Sequence, residues 1–328
     1  MNVNDLFDRR IAFMTGKGGV GKTTVAAALA FAARDRGKNV LLIEVDESPT
    51  LRYIFNRDIP VYKEVQVAER LTVLTLDPYK ALEEYVILQI KVAAAARMIL
   101  NNSIFQYFMQ AAPGWRELVT VGKIWYVAEQ TAGRGRDKRP RYDMIVVDAP
   151  ATGHGLNFLK VPAVFMNILK FGWMQGQTGD LQRMLTDSAR TAVNVVTLPE
   201  EMPVNESAQL REIVQKNLGM TLGVTFVNGV HEPLFGQKGE EELALLKNDA
   251  AAMEKLGAAF PDGGKALFTA ERDRRLRAEL SRHYLGVVRE KIGPPIVALP
   301  HQHMGRVDLP GIKEMAALIL AAAKGGAS

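Results

Sequence analysis

The stretch "TGKGGVGKTT", residues 15–24, constrains this 328-residue chain more than any other feature. An apolar run, residues 11–15, precedes it, and an alanine-rich pattern that predicts a helix near 22–36 follows it. Glycines at this density let backbone N–H groups curl around an anion, and the helix that begins next adds its dipole. Residues 16–23 match the spacing G-x-x-x-x-G-K-[ST] of a phosphate-binding loop. A glycine-rich turn without a ligand is the alternative.

The loop assigns separate tasks to its side chains and its backbone. Lys22 is expected to contact the β- and γ-phosphates of ATP, and Thr23 to offer its hydroxyl to Mg²⁺. The remaining residues expected to bind the nucleotide are Gly16, Gly18, Gly19, Val20, Gly21 and Thr24. ATP and Mg²⁺ are therefore the predicted ligands. A phosphate-binding loop needs only one lysine, so Lys17 requires another explanation.

Short β-branched runs alternate with longer helical patterns along the chain, which predicts a parallel sheet covered by helices. Most of the runs are continuously apolar, as strands buried on both faces are. The predicted strands are 11–15, 40–45, 71–76, 144–148, 192–197, 222–228 and 296–299. The predicted helices lie near 22–36, 204–218, 239–257, 271–291 and 311–323. The fold class is therefore α/β, a doubly wound, mostly parallel sheet of the P-loop NTPase type.

Two segments, 78–132 and 157–190, read as long helical regions where one crossover helix would be enough. Both are rich in apolar side chains at helical spacing, and we expect them to form one helical subdomain inserted in a single domain, 1–328. Such stripes are also typical of ordinary burial against the sheet or a partner. An exposed apolar groove and a buried core therefore remain open alternatives.

Two further strand ends carry carboxylates. In "MIVVDAPATGHGL" a strand ends at Asp148, which is expected to help to hold Mg²⁺, and Gly153 is the candidate sensor of the γ-phosphate. In "VLLIEVDESPTL", Asp46 is the candidate for orienting the attacking water. Glu44 and Glu47 compete with it by spacing alone. A solvated turn is the alternative at both strand ends.

Composition removes several functions. The chain has no cysteine, so disulfides, thiolate metal sites and cysteine nucleophiles are excluded. The net charge is +5, and the run "GRGRDKRPR", residues 133–141, carries five basic residues and one acidic residue, a net of +4. The remainder is nearly neutral and the run lacks aromatics, so a solvated loop is favoured over a nucleic-acid surface. The N-terminus shows no apolar export signal, and we expect a cytoplasmic protein.

The residues 17–24, "KGGVGKTT", resemble the deviant phosphate-binding loop of the dimeric ATPases that include the nitrogenase iron protein and the MinD/ParA proteins. "VDAPATGHGLNFL" resembles the D-x-A-P-T-G-H-T switch of the arsenical-pump and tail-anchored-protein targeting ATPases, with one residue inserted and Gly155 in place of a threonine. "APGWRELVTVGKIW", "LPEEMPVNESAQL" and "TFVNGV" are similar to further motifs of that family. The resemblance runs from about residue 9 to about residue 325.

The resemblance implies a dimer that closes on ATP, either of two copies or with a paralogue. It implies that Lys17 reaches across the interface to the partner's phosphates, as an arginine finger does. It assigns the water-positioning role to Asp46 and an adenine contact to Asn228. It also brings Pro300 and His301 against the adenine.

The chain departs from that family in two informative places. Asp46-Glu47-Ser48-Pro49 stands where the family has D-P-A-H. The cysteines that hold zinc or arsenite in the family have no counterpart, and His301 with His303 is too small a set for zinc, so none is expected. The implied partner is a hydrophobic client such as a transmembrane helix, or a membrane protein. A subunit that energises an anion transporter and a positioning ATPase of the MinD/ParA type are the alternatives.

Overall fold

The structure is a computed structural model that describes residues 1–45, 50–90, 92–103, 105–107, 114–133, 135–150, 159–161, 173–260, 265–302 and 308–325. Its strands are β1 Ile11–Thr15, β2 Val40–Glu44, β3 Val65–Ala68, β4 Leu71–Thr75, β5 Thr131–Ala132, β6 Arg139–Pro140, β7 Met144–Asp148, β8 Thr191–Thr197, β9 Leu222–Val230 and β10 Ile296–Pro300. Its helices are α1 Val3–Leu6, α2 Lys22–Asp35, α3 Leu51–Ile54, α4 Pro78–Ile90, α5 Ala93–Leu100, α6 Trp115–Glu129, α7 Trp173–Thr186, α8 Glu201–Glu212, α9 Gln237–Asn248, α10 Ala250–Ala259, α11 Lys265–Lys291 and α12 Leu309–Gly325.

Eight strands form one sheet in the order β10-β9-β8-β1-β7-β2-β4-β3. All neighbours pair in parallel except β3 and β4, which pair antiparallel at one edge. The chain passes from β1 to β2 on one side of the centre and later from β7 to β8 on the other. In such sheets the carboxyl ends of the strands beside the point of reversal form the ligand crevice. The doubly wound α/β fold predicted from the sequence is confirmed.

Side chains of the central strand alternate between two hydrophobic cores. Ala12 and Met14 of β1 belong to the core beneath α2 and α12, whereas Ile11 and Phe13 belong to the core beneath α6 and α7. Every residue from 25 to 33 of α2 is buried, because this helix lies between the sheet and α12. Its alanines allow that close approach on both sides. The helix that follows the glycine loop is therefore held firmly against the sheet.

Several predicted boundaries need correction. The antiparallel edge strand β3 was not predicted, and residues 239–257 form two helices rather than one. The break comes at Asp249, whose side chain accepts hydrogen bonds from Ala251 and Ala252 N–H and so caps a new helix. The basic run 133–141 was expected to be a loop, yet part of it pairs as the short hairpin of β5 and β6. The helical region 78–132 also ends earlier, since β5 occupies its last two residues.

Three helices, α4, α5 and α6, follow β4 along the chain. α4 packs against both α5 and α6. A cavity of about 430 Å³ lies among them, lined by Tyr79, Leu82, Arg97, Leu100 and Trp115 with neighbouring side chains. No helix within the described ranges is long and apolar enough to cross a membrane.

Candidate nucleotide site

The loop between β1 and α2 has the conformation that its glycines were expected to permit. Gly16, Gly19 and Gly21 have φ values of 152°, 84° and 87°. A Cβ at Gly16 would lie 2.1 Å from the Val196 carbonyl oxygen, and one at Gly21 would lie 2.3 Å from Asn228 Nδ2. A side chain at either position would therefore collide with a neighbouring strand. At Gly19, by contrast, a Cβ would meet nothing within 4 Å among the residues that the structure describes.

Lys22 and Thr23 stand at the first turn of α2, where the sequence places them. The Lys22 ammonium donates a hydrogen bond to the backbone carbonyl of Lys17, 3.1 Å away, and so lies back across its own loop. The Thr23 hydroxyl donates to Asp148 Oδ2 at 2.5 Å. Asp148 ends β7, the neighbour of β1, and is buried. The hydroxyl and the carboxylate predicted to serve one Mg²⁺ thus lie in direct contact.

Glu44 ends the next strand and is paired in register with Asp148, yet it has different partners. Its Oε1 accepts hydrogen bonds from Thr50 N–H at 2.6 Å, Leu51 N–H at 3.0 Å and the Thr50 hydroxyl at 3.2 Å. Its Oε2 accepts from the Thr75 hydroxyl at 3.1 Å. A carboxylate has about four acceptor positions, so protein donors occupy this one. These contacts argue against Glu44 as the group that orients water.

Lys17 has a partner of its own. Its ammonium lies 2.6 Å from Glu206 Oε1 on α8, and both side chains are about one-third exposed. The two residues are 189 positions apart, so spacing gave no hint of the contact. The only signal in the sequence was that Glu206 lies within "LPEEMPVNESAQL", one of the segments that resembles a family motif. Lys22 therefore bonds within its own loop, whereas Lys17 bonds to another helix.

The residues expected near adenine gather at the carboxyl ends of β9 and β10. Asn228 Nδ2 donates to the Val20 carbonyl at 2.9 Å and so ties β9 to the glycine loop. His301 N–H donates to the Val230 carbonyl at 2.9 Å, directly after Pro300. The His301 ring stacks on His231, with centroids 4.3 Å apart and an interplanar angle of 22°. Sequence reasoning missed His231 because nothing near it in the sequence marks it.

Other predicted residues fall outside the described ranges. Asp46 and its competitor Glu47 belong to segment 46–49, and Gly153 belongs to segment 151–158. Gly155 and His303 also fall outside them. The structure describes the residues on both sides of segment 46–49. Val45 N–H donates to the Asp148 carbonyl at 3.1 Å, and Thr50 is held by Glu44.

The helical region beside this site presents large apolar side chains to solvent. Val92, Met98 and Tyr107 are 56%, 73% and 72% exposed. Its base is more firmly held: Lys123 on α6 bonds to both oxygens of Glu84 on α4, at 2.9 and 2.6 Å, and Tyr62 donates to the same carboxylate. Burial and this hydrogen bond raise the pKa of the Tyr62 phenol well above its ordinary value.

Comparisons with known proteins agree with this geometry. The family model described as Anion-transporting ATPase matches residues 9–181. The ATPase BagA of Mycobacterium tuberculosis is 30% identical over 316 residues, which are 93% of this chain and 91% of that protein. The ATPase GET3 of Chaetomium globosum is 29% identical over 197 residues, 59% of this chain and 55% of GET3. The arsenical pump-driving ATPase of Escherichia coli is 22% identical over 267 residues, 76% of this chain and 44% of that protein.

The matched residues include both the glycine loop and Asp148. The family model extends from before the glycine loop to beyond Asp148, and the similarity to BagA extends over nearly the whole chain. A parallel sheet with a phosphate-binding loop at its reversal point is the fold on which such an enzyme is built. The chain therefore belongs to the anion-transporting ATPase family, which includes the arsenical pump-driving ATPases and GET3, and is an ATP-hydrolysing enzyme.

Proposed function

We propose that the chain works as a dimeric, Mg²⁺-dependent ATPase in which each subunit supplies Lys17 to the nucleotide that its partner binds. The observation that carries this proposal is that Lys17 and Lys22 have different partners. Lys22 lies across its own loop, whereas Lys17 leaves the loop and meets Glu206 on another element. One loop needs one lysine for its own phosphates. A second lysine that extends away from them suits a site in another subunit.

The residues present fit Mg²⁺ and ATP. Thr23 and Asp148 provide the hydroxyl and carboxylate oxygens that Mg²⁺ prefers, and Mg²⁺ ordinarily completes its shell with waters and substrate phosphates. We assign the metal to these two side chains, with Asp148 acting directly or through a water. Bound there, the ion would supply positive charge that offsets the negative charge of the phosphates. We assign the phosphates to the N–H groups of residues 16–24, because the described residues leave the space beside Gly19 open.

Hydrolysis forms a bond between a water oxygen and the γ-phosphorus, and breaks the bond between that phosphorus and the β–γ bridging oxygen. In this proposal Asp46 orients the water and receives its proton, Lys22 contacts the β- and γ-oxygens, and Gly153 contacts the γ-phosphate. Lys17 of the partner subunit neutralises the charge that develops. ADP and inorganic phosphate leave.

The adenine is assigned to the ends of β9 and β10. Asn228 offers a carboxamide whose Oδ1 has the chemistry to accept from the adenine amino group, and its Nδ2 fixes it to the glycine loop. Pro300 and His301 supply apolar and aromatic surface, and His231 supports the His301 ring by stacking.

We further propose that closure of the dimer on ATP changes the helical region, residues 78–132 and 157–190, and so binds or releases a hydrophobic partner. The exposed Val92, Met98 and Tyr107, together with the cavity beside them, support this assignment, because flexible apolar side chains suit variable apolar partners. The family description and the name of the Escherichia coli relative favour a second candidate, a subunit that drives an anion transporter. The absence of cysteine makes a thiolate-bound metalloid an unsuitable cargo.

Sedimentation velocity combined with phosphate release tests the dimer. Wild-type protein is expected to sediment as a dimer with Mg²⁺ and a non-hydrolysable ATP analogue, and its turnover per chain should fall on dilution below the dimer dissociation constant. Turnover by a species that remains monomeric at every concentration would refute the exchange of Lys17. A purified transmembrane-helix peptide and a detergent-solubilised transporter are then compared as partners. Capture of the peptide favours the client, whereas capture of the transporter alone favours the second candidate.

A further inference from the structure

We infer that Ser281 and Arg274 of α11 are positioning residues for nucleotide binding, which act through His231 on the ring of His301. The inference rests on the proposed assignment of adenine to the end of β10. Ser281 Oγ accepts a hydrogen bond from His231 N–H at 3.1 Å, and Arg274 Nε donates to the Glu232 carbonyl at 2.7 Å. α11 thereby holds the backbone of the two residues that directly follow β9.

His231 and His301 stand side by side because of the strands that precede them. β9 and β10 pair in parallel, with Val230 in register with Pro300, and a histidine follows each of these residues. The two rings stack with centroids 4.3 Å apart and an interplanar angle of 22°. Residue 301 is nevertheless exposed, and aromatic faces stack readily on bases. We therefore assign the adenine to the face of the His301 ring opposite His231.

α11 can act as a firm support because one of its faces is buried. Its buried residues recur at intervals of seven, three and seven positions, at Glu271, Ala278, Ser281 and Val288. This spacing places them on one side of the helix. A hydroxyl on such a face is costly to bury without a partner, and Ser281, which is 2% exposed, finds one in the backbone of His231. The packing of α11 is thus connected to the position of the His231 ring.

The same strand end is fixed on its other side by the glycine loop. Asn228 Nδ2 donates to the Val20 carbonyl, three residues before His231. Val288 of α11 packs with Val227 of β9 in one small core. A ring that is held before the nucleotide arrives loses less freedom on binding, so the stack should increase affinity through the base. The contribution of α11 should accordingly depend on the base and be absent for the phosphates alone.

The test uses isothermal titration of the full-length chain with a non-hydrolysable ATP analogue and with Mg²⁺-tripolyphosphate, which carries phosphates without a base. Ser281→Ala and Arg274→Met should each weaken binding of the analogue by about threefold, and His231→Ala by about fivefold. Binding of tripolyphosphate and kcat at saturating ATP should stay at the wild-type values, which also shows that the variants are folded. His231→Phe restores a ring and should restore affinity. Arg277→Met, at an exposed arginine of the same helix, is the matched control and should bind as wild type.

A double-mutant cycle shows whether α11 acts through His231. Ser281→Ala should cause no further loss of affinity for the analogue in a chain that already carries His231→Ala, because the ring being positioned is gone. Wild-type affinity in both Ser281→Ala and Arg274→Met, or an equal loss of affinity for tripolyphosphate, would overturn the inference. The proposed adenine site fails separately: His301→Ala with wild-type affinity for the analogue would refute the assignment of adenine to His301.

Discussion

The nucleotide edge of the sheet and the helical region next to it differ in how their side chains are held. Hydrogen bonds hold side chains at the edge, whereas large apolar side chains of the helical region are exposed. At the edge, residues far apart in the chain meet through short directed bonds, such as Thr23 with Asp148 and Asn228 with Val20. In the helical region, Glu84 on α4 accepts hydrogen bonds from Lys123 on α6 and from Tyr62. Farther out, Met98 and Tyr107 are mostly exposed.

This difference fits the proposal that the edge of the sheet carries the fixed chemistry and that the helical region binds an apolar partner. Phosphate transfer depends on groups held in place before the reaction, and buried neighbours on a parallel sheet provide that. A surface for apolar partners of varied sequence gains from flexible side chains with few fixed bonds. Changes at the edge should therefore affect chemistry, whereas changes in the outer helices should affect partner binding.

The largest expected effect comes from Lys22→Ala at the edge. Nucleotide binding should weaken strongly and turnover should fall by about 10³-fold or more, because the loop loses the charge that meets the β- and γ-phosphates. Isothermal titration with an ATP analogue and a phosphate-release assay measure the two effects. Lys216→Ala, which removes an exposed lysine just after the end of α8, is the control and should match wild type. Normal turnover in Lys22→Ala would contradict the site assignment.

The next largest effect is expected in the helical region, where changes should weaken partner binding and leave the ATPase rate nearly unchanged. Met98→Ser and Tyr107→Ser together should reduce capture of an apolar peptide by about tenfold, since two large exposed side chains leave the surface. The intrinsic ATPase rate should change by less than about twofold, because both side chains are mostly exposed to solvent. Leu245→Ser is the control, as Leu245 is equally exposed but lies on α9. An equal loss of peptide capture in Leu245→Ser would contradict the assignment of partner binding to the helical region.

A smaller effect is expected from the ion pair that holds Lys17. Glu206→Gln should raise turnover at low protein concentration by up to about fivefold, because a partly exposed pair is worth about 1 kcal/mol or less and its loss frees Lys17 for the partner subunit. Glu212→Gln, at the end of α8, removes the exposed pair with Lys216 and should leave turnover unchanged. Slower turnover in Glu206→Gln would show that Glu206 helps the reaction rather than holding Lys17 away from it.

The smallest effect is a difference in titration between two tyrosines, the half-buried Tyr85 and the buried Tyr142. Burial raises the pKa of Tyr85 on α4 to about 12, and burial with a hydrogen bond to Glu64 raises that of Tyr142 at the sheet to about 12. Each phenol keeps its proton in the folded chain where the unfolded chain has lost it, so the free energy of unfolding falls as pH rises from about 10 to about 12.

Ultraviolet difference titration of Tyr85→Phe and Tyr142→Phe separates the two phenols. If α4 opens locally more often than the sheet does, Tyr85 should titrate nearer to pH 10 than Tyr142. Equal titration of both would mean that the base of the helical region is as firmly packed as the sheet.

Sequence reasoning succeeded where the signal was local. The strand before the glycine loop, the helix after it and the continuous apolar strands were predictable because buried parallel strands have a distinct composition. Thr23 and Asp148 were each predicted to help to hold Mg²⁺, but their direct hydrogen bond was not predicted. The pair of Lys17 with Glu206 was not predictable, because it depends on how α8 packs over the loop. The partners of Glu44 were equally hidden, since three residues that share one carboxylate look unremarkable in sequence.

The central claim is that Lys17 acts on the nucleotide of the partner subunit, and mixing two inactive variants tests it most directly. Lys17→Ala keeps its own nucleotide but cannot supply the lysine, whereas Lys22→Ala supplies Lys17 but does not hold nucleotide. In an equimolar mixture about half of the dimers are mixed, each with one complete site, so phosphate release should recover to about a quarter of the wild-type rate. A mixture as inactive as its two components, or Lys17→Ala alone at the wild-type rate, would contradict the claim.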